Sequence, residues 1–397
     1  MTGLDGQRVY LDWNATAPLR PEARAAMLEA MDVVGNPSSV HAEGRAAKAI
    51  VEKARGQVAA LVGCAVEELV FTSGATEAAN IATSVGWDLA VLTPHEHDCV
   101  VASVAPETAG SLKTHVALSG SQSDMWASSA PLLAPWAPLH RTLLACTAAC
   151  GETGIVHELD AIQQIAVRRQ EKARNDATDA DPEHCVRLFS DLTQAAGKIR
   201  FTAKGADYVC ASAHKIGGPK GVGFLAGKQA LNVSSFITGG GQEKGRRSGT
   251  ENVIGIAGFG AAAQAAQRDL EADVWDRIEN LRDSLEDRVA TAAPDTIFFG
   301  KDAPRLPNTS CFAVPGWPGE TQVMQMDLAG FAISAGSACS SGKVKKASRV
   351  LLAMGFNEIT ASSAIRVSMG PTTTEAEVMA FADSWIAAYQ RMKARAA

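Results

Sequence analysis

The segment 212–223, in the middle of the chain, combines one lysine with a run of glycines. It reads Ser-Ala-His-Lys-Ile-Gly-Gly-Pro-Lys-Gly-Val-Gly and follows residues 207–210, Asp-Tyr-Val-Cys, which predict a β-strand. A lysine on rigid backbone directly after a strand is placed to form a Schiff base with an aldehyde cofactor, and glycines let the backbone approach that cofactor closely. A lone lysine in a loop is ordinarily exposed and inert. The whole string instead favours a cofactor site on Lys215.

A carboxylate and an amide follow an earlier predicted strand. Asp191 comes just after the predicted strand 186–189, Val-Arg-Leu-Phe, and Gln194 lies three residues further on. An aspartate at this position can simply cap a helix. Beside a pyridine nitrogen, however, its charge keeps the ring protonated, so that the ring accepts electrons from a substrate Cα. Together with Lys215, Asp191 favours pyridoxal 5'-phosphate (PLP) as the aldehyde cofactor.

Two segments are suited to hold the phosphate of such a cofactor. Residues 72–77, Thr-Ser-Gly-Ala-Thr-Glu, join a predicted strand to a predicted helix. Free amides and hydroxyls at the start of a helix bind phosphate, although the same residues also serve as ordinary helix caps. Residues 239–252 are rich in glycine and cationic side chains, and the alternative for them is a plain surface loop.

Two single side chains complete the candidate set around the cofactor. His97 follows the apolar run 90–92, and an imidazole there can stack on the ring and transfer protons near neutral pH. A lone histidine is more often structural. Arg366 lies within the strand-like run 364–367. Because a buried arginine needs a partner, a substrate carboxylate is a sensible one.

Cys339 differs from the other seven cysteines in its surroundings. It lies among the small residues 334–342, and three lysines follow at 343, 345 and 346. Positive charge favours the thiolate, and a segment of small residues can carry a reactive group outward. The other cysteines lie in apolar or helical patterns without a Cys-x-x-Cys pair, so we expect inert thiols and no metal site.

Short apolar runs that alternate with helical patterns predict an α/β fold with a mostly parallel sheet. The polar candidates follow predicted strands, and ligands of such sheets bind beyond the carboxyl ends of the strands. The charged segment 169–183 predicts a solvated insertion, and residues 261–290 predict one long helix. We expect a large domain over residues 15–257 and a smaller one over 258–397, with residues 1–14 packing near the smaller domain.

Composition excludes several classes of protein. The chain has 397 residues and a net charge of −6, with no basic run, which argues against nucleic acid and against a membrane surface as partners. No apolar run predicts a signal peptide or a membrane span. We therefore expect a cytoplasmic protein.

Taken together, these motifs resemble those of the cysteine desulfurases, within the class V aminotransferase-like PLP enzymes, over nearly the whole chain. The segments that carry the resemblance are 10–16, 35–41, 73–77, 96–97, 191–194, 212–215, 247–250, 336–342 and Arg366. The resemblance implies the fold type I of PLP-dependent transferases, with a seven-stranded sheet in the large domain and a smaller α/β C-terminal domain. It also implies a homodimer that passes sulfur to an iron–sulfur scaffold or another acceptor protein. The segment around Cys339 is more similar to the nitrogen-fixation branch than to the housekeeping one.

The resemblance also assigns roles. Lys215 holds PLP and acts as acid and base at the substrate Cα. Asp191 pairs with the pyridine nitrogen, Gln194 reaches the ring oxygen, and His97 stacks on the ring. Cys339 takes the sulfur of L-cysteine as a persulfide. The residues implied to bind phosphate are Ala75, Thr76, Ser212, His214 and, across the dimer interface, Thr250. The residues implied to bind the substrate carboxylate are Arg366 and Asn36.

Two segments depart from the family pattern. Residues 150–154 read Cys-Gly-Glu-Thr-Gly where the family usually has Asn-Asn-Glu-Thr-Gly, so Gly151 lacks an amide that normally touches cofactor or substrate. Residues 340–349 lack the Pro-Ser-His that tends to follow the family's cysteine. Two alternatives to a cysteine desulfurase remain. One is a selenocysteine lyase or aminotransferase of the same fold, and the other is a degenerate homologue that only binds a partner.

Overall fold

The computed structural model describes residues 3–4, 6–104, 114–117, 141–157, 164, 185–203, 206–336 and 347–396. The chain forms two compact units. The large unit comprises Pro18–Ala149 and His157–Arg268, and the small unit comprises Met1–Ala17, Cys150–Val156 and Asp269–Ala397. The predicted domain boundary at residues 257–258 stays a prediction. The predicted insertion 169–183 lies outside the described residues.

The described strands and helices alternate along much of the chain. The strands are β1 (Val9–Tyr10), β2 (Val70–Thr72), β3 (Leu89–Leu92), β4 (Thr114–Ala117), β5 (Arg141–Ala145), β6 (Cys185–Asp191), β7 (Tyr208–Ser212), β8 (Gly223–Ala226), β9 (Ile297–Phe298), β10 (Thr309–Ala313), β11 (Phe331–Ala332), β12 (Ser334–Ala335) and β13 (Ala364–Ser368). The α-helices are Pro21–Met31, Ala42–Val62, Ala75–Thr83, Asp98–Ser103, Val253–Glu271, Val274–Ala292, Gly319–Leu328, Arg349–Ala353, Glu358–Ser362 and Glu375–Ala396. None of these helices is long and apolar enough to cross a membrane.

The large unit is built on a seven-stranded sheet in the order β2-β8-β7-β6-β5-β3-β4. Only β8 runs antiparallel to its neighbours, and the other pairings are parallel. The strand interior is continuously apolar, as in Leu143 and Leu144 of β5, because both faces of such a sheet are covered. The predicted α/β class and mostly parallel seven-stranded sheet are confirmed. The carboxyl ends of β3, β5, β6 and β7 therefore lie along one edge.

The small unit contains a four-stranded antiparallel sheet in the order β12-β13-β10-β9, and β1 pairs in parallel with β11. Its core is aromatic, and the indole of Trp385 stacks on Tyr389 at 5.8 Å between ring centroids. Strand β13 is held between β10 and β12, so that Arg366 is paired with Cys311 on one side and Ser334 on the other. A central strand provides rigid backbone for this arginine.

The prediction of one long helix over residues 261–290 is wrong. Two helices, Val253–Glu271 and Val274–Ala292, occupy this region, and Asp273 between them has φ of 52°. This left-handed conformation ends the first helix. Aspartate is one of the few residue types other than glycine that adopts it at modest cost, so the sequence carries no glycine or proline to mark the break.

Candidate active site

The carboxyl ends of β6 and β7 bring three candidate residues together. Asp191 is the last residue of β6 and Ser212 is the last of β7, and the pairing of Asp191 with Cys210 fixes their register. The turn Ala213–Lys215 follows at once, pinned where Ala213 accepts backbone hydrogen bonds from Ile216 and Gly218 at 3.1 and 2.9 Å. Lys215 is half-buried in this turn. The lysine and the carboxylate thus project from adjacent strand ends.

A close backbone contact places the start of helix Ala75–Thr83 against the same edge. A Cβ on Gly223 would lie 2.6 Å from the Cα of Gly74, so only glycine permits this approach. The amide of Ala75 donates to Ser212 Oγ at 2.8 Å. Because the first amides of a helix have no acceptor within it, Ala75, Thr76 and Ser212 form a concentrated set of polar groups suited to a phosphate.

His214, the remaining phosphate candidate of this strand end, is half-buried. Burial, with the neighbouring charges of Lys215 and Lys220, lowers the pKa of His214 to about 4. Its imidazole is therefore neutral at physiological pH. A neutral ring still carries one N–H, which can donate to a phosphate oxygen.

Asp191 is suited to a cationic ring nitrogen. Its carboxylate is only 5% exposed, and Oδ1 accepts the amide of Thr193 at 2.8 Å. Within the described part of the chain no salt bridge reaches it. Since a buried carboxylate is costly without a positive partner, a protonated pyridine fits here. Close by in the sequence, Lys198 Nζ donates to Gln194 Oε1 at 2.7 Å, a contact that holds the Gln194 amide.

His97 lies at the same edge of the sheet, beyond the end of β3. Its exposed imidazole caps the helix Asp98–Ser103, and Nδ1 accepts the amide of Cys99 at 3.2 Å. When the ring is neutral, its proton is therefore on Nε2. The structure thus places His97, Asp191, Ser212 and Lys215 at one edge of one unit.

Two candidate residues of the large unit, Asn36 and Thr250, are exposed to solvent. Asn36 is exposed, and its Oδ1 accepts the amide of Ser38 at 2.9 Å, while Thr250 is an exposed residue of the glycine-rich segment. Their roles toward substrate and phosphate stay predictions. Cys339 lies outside the described residues, and its role stays a prediction as well.

Arg366 of the small unit contacts Asp12, a residue for which the sequence indicated no specific role. The guanidinium is 4% exposed, its Nη2 bonds Asp12 Oδ1 at 2.8 Å, and its Nη1 donates to the carbonyl of Gly151 at 2.9 Å. Asn14 Nδ2 reaches the same carbonyl at 3.3 Å. Asp12 stands in the motif 10–16, which was the only signal for it. These contacts hold the guanidinium in one orientation, as recognition of a carboxylate requires.

Six buried or half-buried cysteines do not resemble nucleophiles. Burial is the main cause that raises the pKa of the thiols of Cys64, Cys146, Cys150, Cys185, Cys210 and Cys311. A thiol with a raised pKa carries little thiolate at neutral pH. Among the described residues no cluster of His, Cys, Asp or Glu could hold a metal ion.

The sequence matches a known protein family over most of its length. The model of the family described as aminotransferase class V matches residues 9–381. The chain belongs to the class V aminotransferase family. It is similar to a cysteine desulfurase of Cereibacter sphaeroides, at 36% identity over 94% of this chain and 93% of the relative. A cysteine desulfurase of Enterobacter agglomerans is 33% identical over 94% and 90%. The structure of a NifS-like protein from Rickettsia africae superposes with a TM-score of 0.83 at 28% identity, covering 97% of this chain and 100% of that one.

These likenesses place the chain among the PLP-dependent enzymes of fold type I, and within them beside the cysteine desulfurases. The residues at the sheet edge fit that cofactor: a lysine for the aldehyde, a buried carboxylate for the ring nitrogen, and helix amides with Ser212 for the phosphate. The predicted family, fold type and cofactor are confirmed.

We expect Gly151→Asn to raise kcat/KM for cysteine, or to tighten PLP binding, about fivefold. The added amide would restore the contact that the family pattern usually has, and one typical hydrogen bond contributes about 1 kcal/mol. Steady-state kinetics and PLP titration measure the effect, with Gly151→Ala as the control that adds a side chain but no amide. A neutral or harmful Asn would mean that the site has been rebuilt around the glycine.

Proposed function

We propose that this chain is a PLP-dependent cysteine desulfurase that converts L-cysteine to L-alanine and takes the sulfur onto Cys339. The observation that carries the proposal is the edge where Lys215, Asp191 and Ser212 meet the helix start at Ala75. These groups match the aldehyde, ring nitrogen and phosphate of one cofactor. The family and the named relatives support the same activity.

Each residue at this edge has a defined task. When bound, PLP withdraws electrons from the substrate Cα, which makes its proton acidic. Lys215 holds the cofactor until substrate arrives and then moves the proton at Cα. Asp191 keeps the ring nitrogen charged, and His97 covers one ring face. The residues that bind the phosphate are Ala75, Thr76, Ser212 and His214, with Thr250 supplied by the second subunit of a homodimer.

Sulfur transfer then requires a nucleophile from the chain itself. The thiolate of Cys339 attacks the sulfur of the bound cysteine, so an S–S bond forms as the Cβ–S bond breaks. The electron pair of the broken bond stays with Cβ, which gains a proton and becomes the methyl group of alanine. The products are L-alanine and a persulfide on Cys339, and no outside oxidant is needed.

The persulfide needs an acceptor, and we propose an iron–sulfur scaffold protein in the cytoplasm. Support comes from the resemblance of the chain to sulfur-supplying enzymes.

One experiment tests the proposal as a whole. The purified protein is expected to absorb in the visible range, and L-cysteine is expected to give alanine and protein-bound sulfur in equal amounts. Parallel assays use selenocysteine, and an amino acid with a keto acid. A protein that transaminates, or that turns over selenocysteine alone, would contradict a cysteine desulfurase, and a colourless, inert protein would contradict any PLP enzyme.

Arg366 should determine how tightly cysteine binds. We expect Arg366→Lys to raise KM about 10- to 100-fold with a smaller change in kcat. A lysine cannot make the paired hydrogen bonds to a carboxylate, and a charge-assisted bond contributes about 1.5–3 kcal/mol. Arg282→Lys is the matched control, since Arg282 is also a buried arginine of the small unit, bonded to the carbonyl of Leu306 at 2.8 Å. Equal KM values in both variants would refute the assignment.

A further inference from the structure

Two buried histidines face each other in the large unit, and neither belongs to a motif discussed above. His95 Nδ1 lies 2.8 Å from His157 Nε2, and the ring centroids are 4.8 Å apart. The two residues are 8% and 3% exposed. At this distance one nitrogen donates and the other accepts, so the pair makes one hydrogen bond out of reach of water.

His157 stays neutral over the physiological pH range. Burial, and secondarily the adjacent His95, lowers the pKa of His157 to about 3. His157 is therefore neutral, and its Nε2 can serve as donor or acceptor according to the tautomer of its partner. A buried hydrogen bond of this kind fixes the orientation of both rings.

On one side the pair holds the turn that carries His97. His95 lies two residues before His97, between the end of β3 and the helix Asp98–Ser103. A second tie in the same turn is Glu96, whose Oε1 accepts the hydroxyl of Thr93 and the amide of Thr147, both at 2.6 Å. Two contacts, His95 with His157 and Glu96 with Thr147, therefore connect this turn to the segment that follows β5.

On the other side the pair is connected to Asp191. The amide of His157 donates to the carbonyl of Ala148 at 2.9 Å, and the amide of Ala148 donates to the carbonyl of Asp191 at 2.9 Å. The hydroxyl of Thr147 also lies 3.2 Å from that carbonyl. A continuous set of hydrogen bonds therefore runs from the turn with His97 to the backbone of the carboxylate.

We propose that His95 and His157 are a positioning pair, which fixes the ring-stacking His97 relative to the ring-pairing Asp191. The inference rests on the proposed function, because it assigns these two residues to opposite contacts of one cofactor ring. We assign neither buried histidine a contact with the cofactor or the substrate. Their effect is transmitted through the Thr93–His97 turn and the segment after β5.

The test replaces each histidine by an apolar residue and by an amide. We expect His157→Leu to lower kcat about tenfold, to shift the visible absorption of the bound cofactor, and to weaken PLP binding, since an unsatisfied buried nitrogen forces the turn to move. His157→Gln should restore all three values, because its terminal amide can donate or accept. His95→Leu should cause the same three losses, and His95→Asn should restore the wild-type values.

Asp207→Ala is the matched control for a purely structural effect. Asp207 lies just before β7, at the amino end of the same sheet, and its Oδ2 accepts the amide of Leu188 at 2.9 Å. Its removal should lower Tm as His157→Leu does. It should leave kcat, the absorption band and PLP affinity at the wild-type values.

The outcomes separate this inference from the proposed function. A wild-type protein without desulfurase activity would overturn the function, whereas the histidines are judged only on an active, PLP-loaded wild type. If His157→Leu and Asp207→Ala lose the same Tm and neither changes the absorption band or kcat, the positioning role is wrong. If the single leucine variants do not fold, the positioning role is judged on His157→Gln and on the double variant His95→Leu/His157→Leu. His95→Leu/His157→Leu should lose no more kcat than either single change, because both polar partners are gone, and additive losses would contradict a pair.

Discussion

Lys215→Ala is expected to release alanine from L-cysteine at less than about one-thousandth of the wild-type rate. In the role proposed for Lys215, the variant loses both the covalent bond to PLP and the group that moves the Cα proton. General acid–base catalysis alone contributes about 10²- to 10⁴-fold to the rate. The phosphate-binding groups at Ala75 and Ser212 remain, so the variant should still bind PLP, with weaker affinity and an altered visible spectrum.

The measurement combines single-turnover alanine release with borohydride reduction and peptide mapping. In the wild-type protein borohydride should fix the cofactor on Lys215, and in the variant no peptide should carry it. Lys220→Ala is the control, because Lys220 is an exposed lysine of the same glycine-rich string. It should keep wild-type turnover and labelling. Full turnover by Lys215→Ala, or labelling at another lysine, would refute the assignment.

The parts of this fold that follow local rules could be predicted from the sequence. The predicted strands 186–189 and 207–210 correspond to β6 and β7, and polar residues follow each of them, so the strands and the edge that carries Lys215 and Asp191 could be predicted. The helix break at Asp273 could not be predicted, because a left-handed aspartate has no distinct pattern. The cost of that conformation is small enough for surrounding packing to decide it.

The parts of the site that depend on distant partners could not be predicted. Asp12 and Arg366 are 354 residues apart and meet only because β1 and β13 fold into one unit. His95 and His157 are 62 residues apart, and each taken alone resembles an ordinary core histidine. Sequence patterns report which faces are buried, but they do not report which buried polar groups satisfy one another. Those pairings need the three-dimensional structure.

Cys339→Ala is expected to retain the visible absorption of PLP and to bind L-cysteine with a spectral change. It should form neither alanine nor protein persulfide above the rate without enzyme. The residues proposed to hold the cofactor and the substrate are unchanged in this variant, but no thiolate is present to attack the substrate sulfur. The loss therefore falls on the sulfur-transfer step alone, which separates a desulfurase from a PLP enzyme that eliminates sulfur unaided.

Single-turnover alanine release, with mass spectrometry for a sulfur adduct, measures this loss. Cys64→Ala is the matched control, because Cys64 is a half-buried cysteine whose pKa is raised to about 12, mainly by burial. It should keep the wild-type rate and the adduct on Cys339, since a thiol with that pKa is not a nucleophile at neutral pH. Alanine and sulfide at the wild-type rate from Cys339→Ala would mean that cysteine attack is not part of the reaction. A lyase that releases sulfur without an essential thiol would then explain the site better, because every contact at the sheet edge serves the cofactor whichever way the sulfur leaves.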